Sequence, residues 1–467
     1  MKSLITVGST GRRLGCLVLA AMALVSSSAG SARGDVVTEW NENFQDAVRN
    51  VGGTAANGAR LGAIVHSAMF DAHNGIEKRY TPIHVDFDFA GGAAPGSSRR
   101  AAVIQAAYAT LVAVFPSQKA TFDAERAASL ASIVGDPADV ESSKSIANGI
   151  EWGAKVAADI LAWRSGDGWS PEPDPFFGNL AVGQWRSTPP AYAPGAGPQL
   201  GNVTPWVLPY GSYFRPAGPP SVLSAQYTTD FKEVKALGSL ENPDGARTAD
   251  QTEAARFWQS PDQRWDRIAH AIVAQRGGQS LSKNVRLFAM LHLAQADATL
   301  ACWDAKYFYN YWRPITAINL ADTDGNPDTD ADVDWKPLIT TPPFPEYPSG
   351  HAAVAPAQAL VIYSLLGDTT FSVTSSPSAT APAITRSFNS LGAAVDEAFY
   401  ARIWGGIHFF TACQAGRELG IKVGNYVLAN AMLPLKARPL KAKPPRHGHN
   451  HGAGTVNGEK DAGGYGF

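Results

Sequence analysis

Two basic residues lie near a predicted helix end, in a stretch rich in aromatic side chains. Lys306 and Arg313 are seven residues apart, or two helical turns, so both cations are expected to project from one face of a long helix. Pro314 disfavours helical backbone at Arg313 and is expected to end that helix. The neighbouring Trp303 and Tyr307 favour burial of both cations with an anionic partner. The alternative is an exposed basic face, which would leave much apolar surface in water.

A second polar group precedes an apolar helix pattern. Ser349, Gly350 and His351 come directly before residues 352–366, whose spacing predicts a helix. The first N–H groups of a helix have no partner within it and lie at the positive end of its dipole, so the position suits an oxoanion with His351 above it. Taken alone, the segment fits an N-cap serine beside an incidental histidine better than it fits an oxoanion site.

A third group joins two predicted helices. Arg402 lies at the end of one helix and His408 at the start of the next, with Gly405 and Gly406 permitting a tight turn between them. A single histidine in such a place is more often structural than a ligand. The whole set contains three cations, two histidines and a helix N-terminus, and this combination is typical of a pocket that neutralises a tetrahedral oxoanion.

Helices must position these groups, because helical spacing of apolar residues dominates the chain and few segments alternate as strands do. Residues 166–220 are dense in proline, glycine and aromatic residues and too apolar for a free linker, so we expect them to lie across the helices. The predicted helices cover residues 59–76, 99–115, 118–134, 140–163, 225–237, 249–258, 262–275, 282–312, 351–366, 387–404 and 413–431.

The three groups resemble a signature shared by vanadium-dependent haloperoxidases, type 2 phosphatidic-acid phosphatases and bacterial acid phosphatases. Nine specified residues in a fixed order argue against a chance match. The lead-in 341–347 and the helix at 66–72 also resemble secreted bacterial chloroperoxidase-like proteins, so the resemblance covers residues 36–432 as one helical domain. It implies an all-α fold of packed four-helix bundles. The matching motifs are Lys306-x6-Arg313-Pro314, Pro348-Ser349-Gly350-His351 and Arg402-x5-His408.

The resemblance implies vanadate as the cofactor, with hydrogen peroxide and a halide as partners. His408 would bind vanadium through a ring nitrogen, and His351 would be the acid–base group. Lys306 would also polarise the peroxide. Phe344, seven residues before His351 as in chloroperoxidases, favours chloride or bromide. The residues that would neutralise or hydrogen-bond the vanadate oxygens are Lys306, Arg313, Ser349, Gly350 and Arg402.

Two other functions remain open. In a phosphatase of the same superfamily, His408 would attack phosphorus to form a phosphohistidine and His351 would protonate the leaving alcohol. The phosphatase pattern has an aspartate four residues after the histidine, where this chain has Ala412, so His408 is expected to lack the carboxylate that orients it. Ala401 likewise stands where the shared pattern often has a serine. The missing carboxylate also suits a non-catalytic protein that only binds an oxoanion.

Composition excludes several classes of protein. With 467 residues, 45% hydrophobic and 17% charged, the chain has enough apolar mass for a large core, so it is not disordered throughout. A formal net charge of -2 provides no cationic field for a nucleic acid. Three cysteines are too few for a disulfide scaffold. Because Cys16 lies in a predicted leader, Cys302 and Cys413 are either one disulfide or two buried thiols.

Both ends of the chain have the composition of segments outside the core. Lys2, Arg12 and Arg13 precede a 12-residue apolar run and then small residues, the order of a secretory signal peptide over residues 1–32. This run is too short to span a bilayer, so we expect a secreted or periplasmic protein without a membrane anchor. Residues 433–467 are basic and rich in histidine and glycine, which predicts a disordered tail.

Overall fold

Helices dominate the protein. The computed structural model describes residues 35–51, 55–259, 264–375 and 382–435. The predicted signal peptide, and the predicted tail beyond residue 435, lie outside the described residues. Helix accounts for 61% and strand for 4% of the structure, which confirms the all-α prediction.

The described residues contain thirteen α-helices and one β-hairpin. The antiparallel strands β1 (Phe371–Thr374) and β2 (Thr385–Phe388) form the hairpin. The helices are α1 (Val36–Val51), α2 (Ala55–Glu77), α3 (Arg99–Val114), α4 (Lys119–Val134), α5 (Ser143–Ser165), α6 (Ala225–Gly238), α7 (Ala249–Gln259), α8 (Arg264–Gln275), α9 (Leu281–Tyr309), α10 (Pro314–Asn319), α11 (Gly350–Leu366), α12 (Leu391–Trp404) and α13 (Phe410–Asn430).

The first group of helices packs on one side of α9. Helices α2, α3 and α5 pack against one another, α2 also packs along α9, and α1 and α4 lie against α3. Helix α9 is buried over most of its length, from Asn284 to Lys306, and its apolar residues are not confined to one face. A helix of this kind belongs to the interior of a large protein, so α9 connects the core of the first group to that of the second.

The second group consists of α9, α11, α12 and α13, in which α11 packs against the other three helices. Two glycines of α13 allow its close approach to α11. A Cβ at Gly416 would lie 2.5 Å from the carbonyl oxygen of Ser349, and one at Gly420 would overlap the carbonyl of Ala353. Since only glycine leaves room for these carbonyls, α13 fixes the position of the α11 N-terminus.

Helix α9 ends at Tyr309, three residues before its predicted end. Asn310 adopts the left-handed conformation (φ 48°), which asparagine tolerates better than most residues. Arg313 then has extended backbone (φ −85°, ψ 155°), as expected for the residue before Pro314. The prediction that Lys306 and Arg313 project from one helical face is therefore wrong.

Three elements differ from the sequence prediction. The helix predicted from residue 387 starts at Leu391, because Ser387 and Phe388 belong to β2. Helix α10 was not predicted, because it is too short to show an apolar period. Helix α1 was not predicted, although its apolar residues, including Trp40 and Phe44, form one buried face.

The segment 166–220 lies along α9 and is held there by acidic side chains. Asp297 of α9 accepts hydrogen bonds from the backbone N–H groups of residues 206–208 at 2.7–2.8 Å. Arg215 donates to both carboxylate oxygens of Asp304 at 2.7 and 2.8 Å. Bidentate pairs of this kind fix orientation as well as contact, so the segment covers the end of α9 that carries the site.

Within the described residues, no single helix is long and apolar enough to cross a membrane. Helix α3 passes that test only together with residues 116–134, and the two pieces are bent by 118° at the break. Most of the α3 side chains from Ala101 to Leu111 are buried against other helices.

Candidate functional site

Lys306 lies in the last turn of α9, and its side chain is fully buried. Its Nζ donates to the carbonyl oxygens of Pro345, Glu346 and Pro348 at 3.0, 2.9 and 2.6 Å. These bonds occupy all three ammonium protons and hold the loop directly before α11. Burial lowers the pKa of Lys306 to about 7. The side chain therefore gains or loses its proton near neutral pH.

Arg313 is fully buried between α9 and α10. Its Nε donates to the carbonyl oxygen of Phe344 at 2.9 Å, and Nη1 donates to that of Ile407 at 2.8 Å and to Nε2 of His408 at 3.1 Å. In the part of the chain that the structure describes, Nη2 has no hydrogen-bond partner. Burial lowers the pKa of Arg313 to about 9, so the guanidinium is still a cation at neutral pH.

The N-terminus of α11 brings backbone donors and a hydroxyl to the same region. Gly350 begins the helix, one residue before its predicted start, and Ser349 is the N-cap residue, but its hydroxyl does not cap the helix. Among the described residues, the polar group beside the buried Ser349 Oγ is the thiol of Cys413, a weak hydrogen-bond partner. A Cβ on Gly350 would lie 3.3 Å from the Trp303 ring and 3.9 Å from Cε of Lys306. The helix start therefore faces the buried lysine.

Arg402 and His351 approach the site from two further directions. Arg402 lies in the last turn of α12 and is 3% exposed, and its Nη1 donates to the carbonyl oxygen of Trp258 at 3.3 Å. Its Nε has no partner within the described residues, and burial lowers its pKa to about 10. His351 is half-buried in the first turn of α11. Gly406 (φ 76°) turns the chain from α12 towards His408.

His408 has a defined tautomer. Its Nδ1 lies 2.8 Å from Oε1 of Glu346, and its Nε2 lies 3.1 Å from Nη1 of Arg313. A guanidinium only donates hydrogen bonds, so Nε2 is the acceptor and Nδ1 carries the proton that is donated to Glu346. Burial, followed by the charges of Arg313 and Lys306, lowers the pKa of His408 well below its usual value. The ring is therefore neutral, with a lone pair on Nε2, which is the form that binds a metal.

Glu346 is a site residue that the sequence analysis missed. It is fully buried, and its Oε1 accepts hydrogen bonds from His408 Nδ1 and from the backbone N–H of Phe409 at 3.0 Å. The prediction that His408 lacks an orienting carboxylate is therefore wrong, because Glu346 supplies one from another segment, whereas Ala412 occupies the position where the phosphatases have aspartate. The sequence signal was a carboxylate in an apolar stretch, whose burial requires polar or charged partners.

The fold brings the seven predicted residues together from three segments of the chain, 306–313, 349–351 and 402–408. The charges of Arg313, Lys306, Arg402 and His351 all lower the pKa of His408, so each lies within electrostatic reach of one imidazole. Three buried cations share one buried acidic side chain, Glu346, and this excess of positive charge favours an anionic guest. The residues brought together are Lys306, Arg313, Ser349, Gly350, His351, Arg402 and His408.

Asp71 and His73 of α2 have hydrogen-bond partners outside the site. Asp71 accepts hydrogen bonds from the backbone N–H groups of residues 83–85 at 2.8–2.9 Å, which holds the loop after α2. The Nε2 atom of His73 lies 3.1 Å from Oγ of Ser282. Cys302 and Cys413 are free and buried, so of the two alternatives the structure has two thiols.

Residues 286–436 match the family described as "VCPO second helical-bundle domain". This range contains all seven predicted site residues and Glu346. The chain is also 27% identical over 168 residues to vanadium chloroperoxidase of Curvularia inaequalis. That alignment covers 29% of this chain and 27% of the relative, so the chain aligns with little more than a quarter of that protein's length.

Solved structures extend the likeness over most of the chain. A structure described as the first bacterial vanadium-dependent iodoperoxidase has a TM-score of 0.72 and 25% identity, and covers 85% of this chain and 98% of that chain. Holo-type and apo-type structures of bacterial vanadium-dependent chloroperoxidase share the fold, with a TM-score of 0.62 and 15% identity each, and cover 80% and 79% of this chain and 91% of each of those chains. The resemblance to vanadium-dependent haloperoxidases is thereby confirmed.

Proposed function

Because the chain resembles vanadium-dependent haloperoxidases in fold and in site motifs, we propose that it is a vanadate-dependent haloperoxidase, which oxidises a halide with hydrogen peroxide to hypohalous acid. The observation that carries this proposal is the neutral His408, whose Nε2 lone pair lies among three buried cations. A ring nitrogen in that form, surrounded by positive charge, suits a metal oxoanion better than either a bare metal cation or an uncharged ligand.

The donor set fits vanadate. His408 Nε2 supplies the ligand, and Arg313 and Arg402 each retain an N–H that no described group uses. The hydroxyl of Ser349 and the backbone N–H of Gly350, at the start of α11, add neutral donors. Donors to a charged guest make shorter and stronger hydrogen bonds than neutral pairs, so these five residues would hold the oxoanion.

Bound vanadate would supply Lewis-acid chemistry that activates peroxide for attack by a halide. His351 is half-buried at the start of α11, where it can exchange protons with solvent, and it would accept a proton from entering hydrogen peroxide. Lys306, with a pKa of about 7, would place positive charge beside the reacting oxygen. Burial of both arginines and of His408 keeps water from competing for the donors.

For the halide we propose chloride or bromide, supported by Phe344. Its ring lies 4.9 Å from that of Trp303, and the cations of Lys306 and Arg313 lie 5.1 and 4.8 Å from its centre. This aromatic wall beside positive charge offers a halide an apolar and weakly hydrated approach. Because an iodoperoxidase is among the similar structures, iodide belongs in the same assay.

We further propose a secreted or periplasmic location. The support is the order of basic, apolar and small residues within 1–32. The N-terminal sequence of the exported protein tests it: cleavage after Ala29 or Ala32 is expected, and a protein retained inside the cell with residue 1 intact would contradict it.

The pair formed by Glu346 and His408 favours a second candidate function, a phosphatase that forms a phosphohistidine. A carboxylate on Nδ1 orients a nucleophilic imidazole and stabilises its charged form, as in the hydrolytic triads. The same pair is compatible with the third alternative, a protein that binds an oxoanion without turnover.

One vanadate-free preparation distinguishes the three functions. A haloperoxidase brominates a phenolic dye with hydrogen peroxide and bromide only after orthovanadate is added. A phosphatase hydrolyses p-nitrophenyl phosphate without vanadate and is inhibited by it. A binder takes up vanadate and does neither, and that outcome would contradict the proposed function.

A further inference from the structure

We propose that Glu346 is a positioning residue, which holds His408 as the Nδ1–H tautomer so that the lone pair of Nε2 is available to the oxoanion. This inference rests on the proposed function, and it goes further by assigning a role to a residue outside the three motifs. Free imidazole exchanges its proton between the two nitrogens, so an unheld ring would present Nε2–H to the guest for part of the time.

The geometry holds Glu346 rigidly on both sides of its side chain. Its backbone N–H donates to the carbonyl oxygen of Tyr311 at 2.9 Å, and its own carbonyl oxygen accepts from Nζ of Lys306 at 2.9 Å. From this fixed backbone, Oε1 accepts from the His408 ring at 2.8 Å and from Phe409 N–H at 3.0 Å. One carboxylate oxygen thus fixes both the ring and the backbone that follows it.

Oε1 of Glu346 can accept from the His408 ring both as a carboxylate oxygen and as the carbonyl oxygen of a carboxylic acid, whose proton then lies on Oε2. Its second oxygen, Oε2, has no partner in the described part of the chain, and Glu346 also lines a small cavity with Tyr227 and Asp230. An amide at position 346 therefore has space for its NH₂ group while its oxygen still accepts from His408.

Asp230 provides a matched control. It is 2% exposed and accepts the backbone N–H of Thr411 at 3.0 Å, much as Glu346 accepts that of Phe409. Both residues bind the N-terminal turn of α13, but only Glu346 also hydrogen-bonds His408. If Glu346→Leu weakened orthovanadate binding only by disturbing α13, Asp230→Leu should therefore weaken it as well.

The test compares two oxoanions on the vanadate-free protein by calorimetric titration. Vanadate needs the Nε2 lone pair to form a bond to the metal, whereas orthophosphate can bind through hydrogen bonds alone. We expect Glu346→Leu to weaken orthovanadate binding by about 10- to 100-fold with little change in phosphate binding. We expect Glu346→Gln, which keeps the acceptor, and Asp230→Leu to bind orthovanadate nearly as the unmodified chain does.

Three results would overturn the role of Glu346: unchanged vanadate binding in Glu346→Leu, an equal loss of both anions, or an equal loss in Glu346→Gln. If Glu346→Leu does not fold, ¹⁵N-histidine NMR of the unmodified chain decides instead. The signal that disappears in His408→Gln must show a protonated Nδ1, and a protonated Nε2 refutes the proposal. Vanadate binding without halide oxidation would remove the proposed function and leave the positioning role measurable.

Discussion

Two buried histidine–carboxylate pairs occupy different parts of the molecule. Nδ1 of His408 lies 2.8 Å from Oε1 of Glu346 in the second group of helices. Nε2 of His292 lies 3.1 Å from Oδ1 of Asp266, between α8 and α9. All four side chains are at most 2% exposed, so burial and composition do not distinguish the two pairs.

The surroundings do distinguish them. The ring of His292 stacks on that of His66 at 4.2 Å and meets the edge of Phe44 at 5.5 Å, and Oδ1 of Asn41 lies 2.9 Å from Nε2 of His66. His408 instead has Arg313 in contact and two more cations within electrostatic reach. A buried histidine–carboxylate pair therefore becomes an anion site only where cations and unused donors surround it.

The largest expected effect separates the two histidines. His408→Ala removes the proposed vanadium ligand and should lower vanadate-dependent halide oxidation by about a thousandfold or more. His292→Ala leaves a cavity and an unpaired buried carboxylate, which should lower the free energy of unfolding by about 2–4 kcal/mol. Initial rates per folded molecule and urea unfolding measure both. Similar rates in the two variants would contradict the distinction.

The next effect concerns the cations. Arg402→Met removes a buried guanidinium with an unused N–H and should weaken orthovanadate binding by about 100- to 1000-fold. Arg60 of α2 is a matched control, because it is also mostly buried but pairs with Asp167 at 2.8 Å in the first group. Equilibrium titration should find Arg60→Met close to the unmodified chain. Equal weakening in both variants would mean that general charge, rather than the site, binds the anion.

Acid stability should depend on histidines of the first group. Burial lowers the pKa of His73 to about 4 from its ordinary 6.5. As the pH falls through this range, the unfolded chain takes up the proton and the folded chain does not, so the free energy of unfolding falls by on the order of 3 kcal/mol from this residue. His73→Gln should remove that part of the pH dependence in urea unfolding measured from pH 7 to pH 4. If the free energy of unfolding of His73→Gln depended on pH as strongly as that of the unmodified chain, the attribution to His73 would be wrong.

The smallest effect is the pH dependence of anion binding. Because the pKa of Lys306 is about 7, the side chain loses most of its positive charge between pH 7 and pH 8. Binding of tungstate, whose own charge is constant over this range, should weaken by about fivefold. Lys306→Arg keeps its charge and should show a smaller loss, due to Glu346, whose pKa burial raises to about 8. A fivefold loss in the arginine variant as well would place the titrating group elsewhere.

Helix ends were easier to predict from the sequence than the arrangement of the side chains near them. Helix ends could be located from Pro314 and from the apolar run after His351, because proline and apolar period act locally. The prediction that Lys306 and Arg313 share one helical face was wrong, because α9 ends before the left-handed Asn310. A single asparagine gives too weak a signal to predict that conformation.

Glu346 could not be assigned from spacing. Its partners His408 and Phe409 lie 62 and 63 residues away, and their contact depends on how α13 packs against α11. Long-range contacts of this kind leave no local period. The usable signal was chemical: a carboxylate in an apolar stretch requires a buried donor, and the nearby motifs contain several.

A crystal structure of the protein soaked with orthovanadate would show directly where the anion binds. We expect one vanadium atom per chain, bonded to Nε2 of His408, with its oxygens in contact with Arg313, Arg402 and the N-terminus of α11. Lys306 should lie nearby and stay bonded to the loop before α11. Vanadium bonded to Nδ1 of His408, or bound outside this region while the site contains only water, would contradict it.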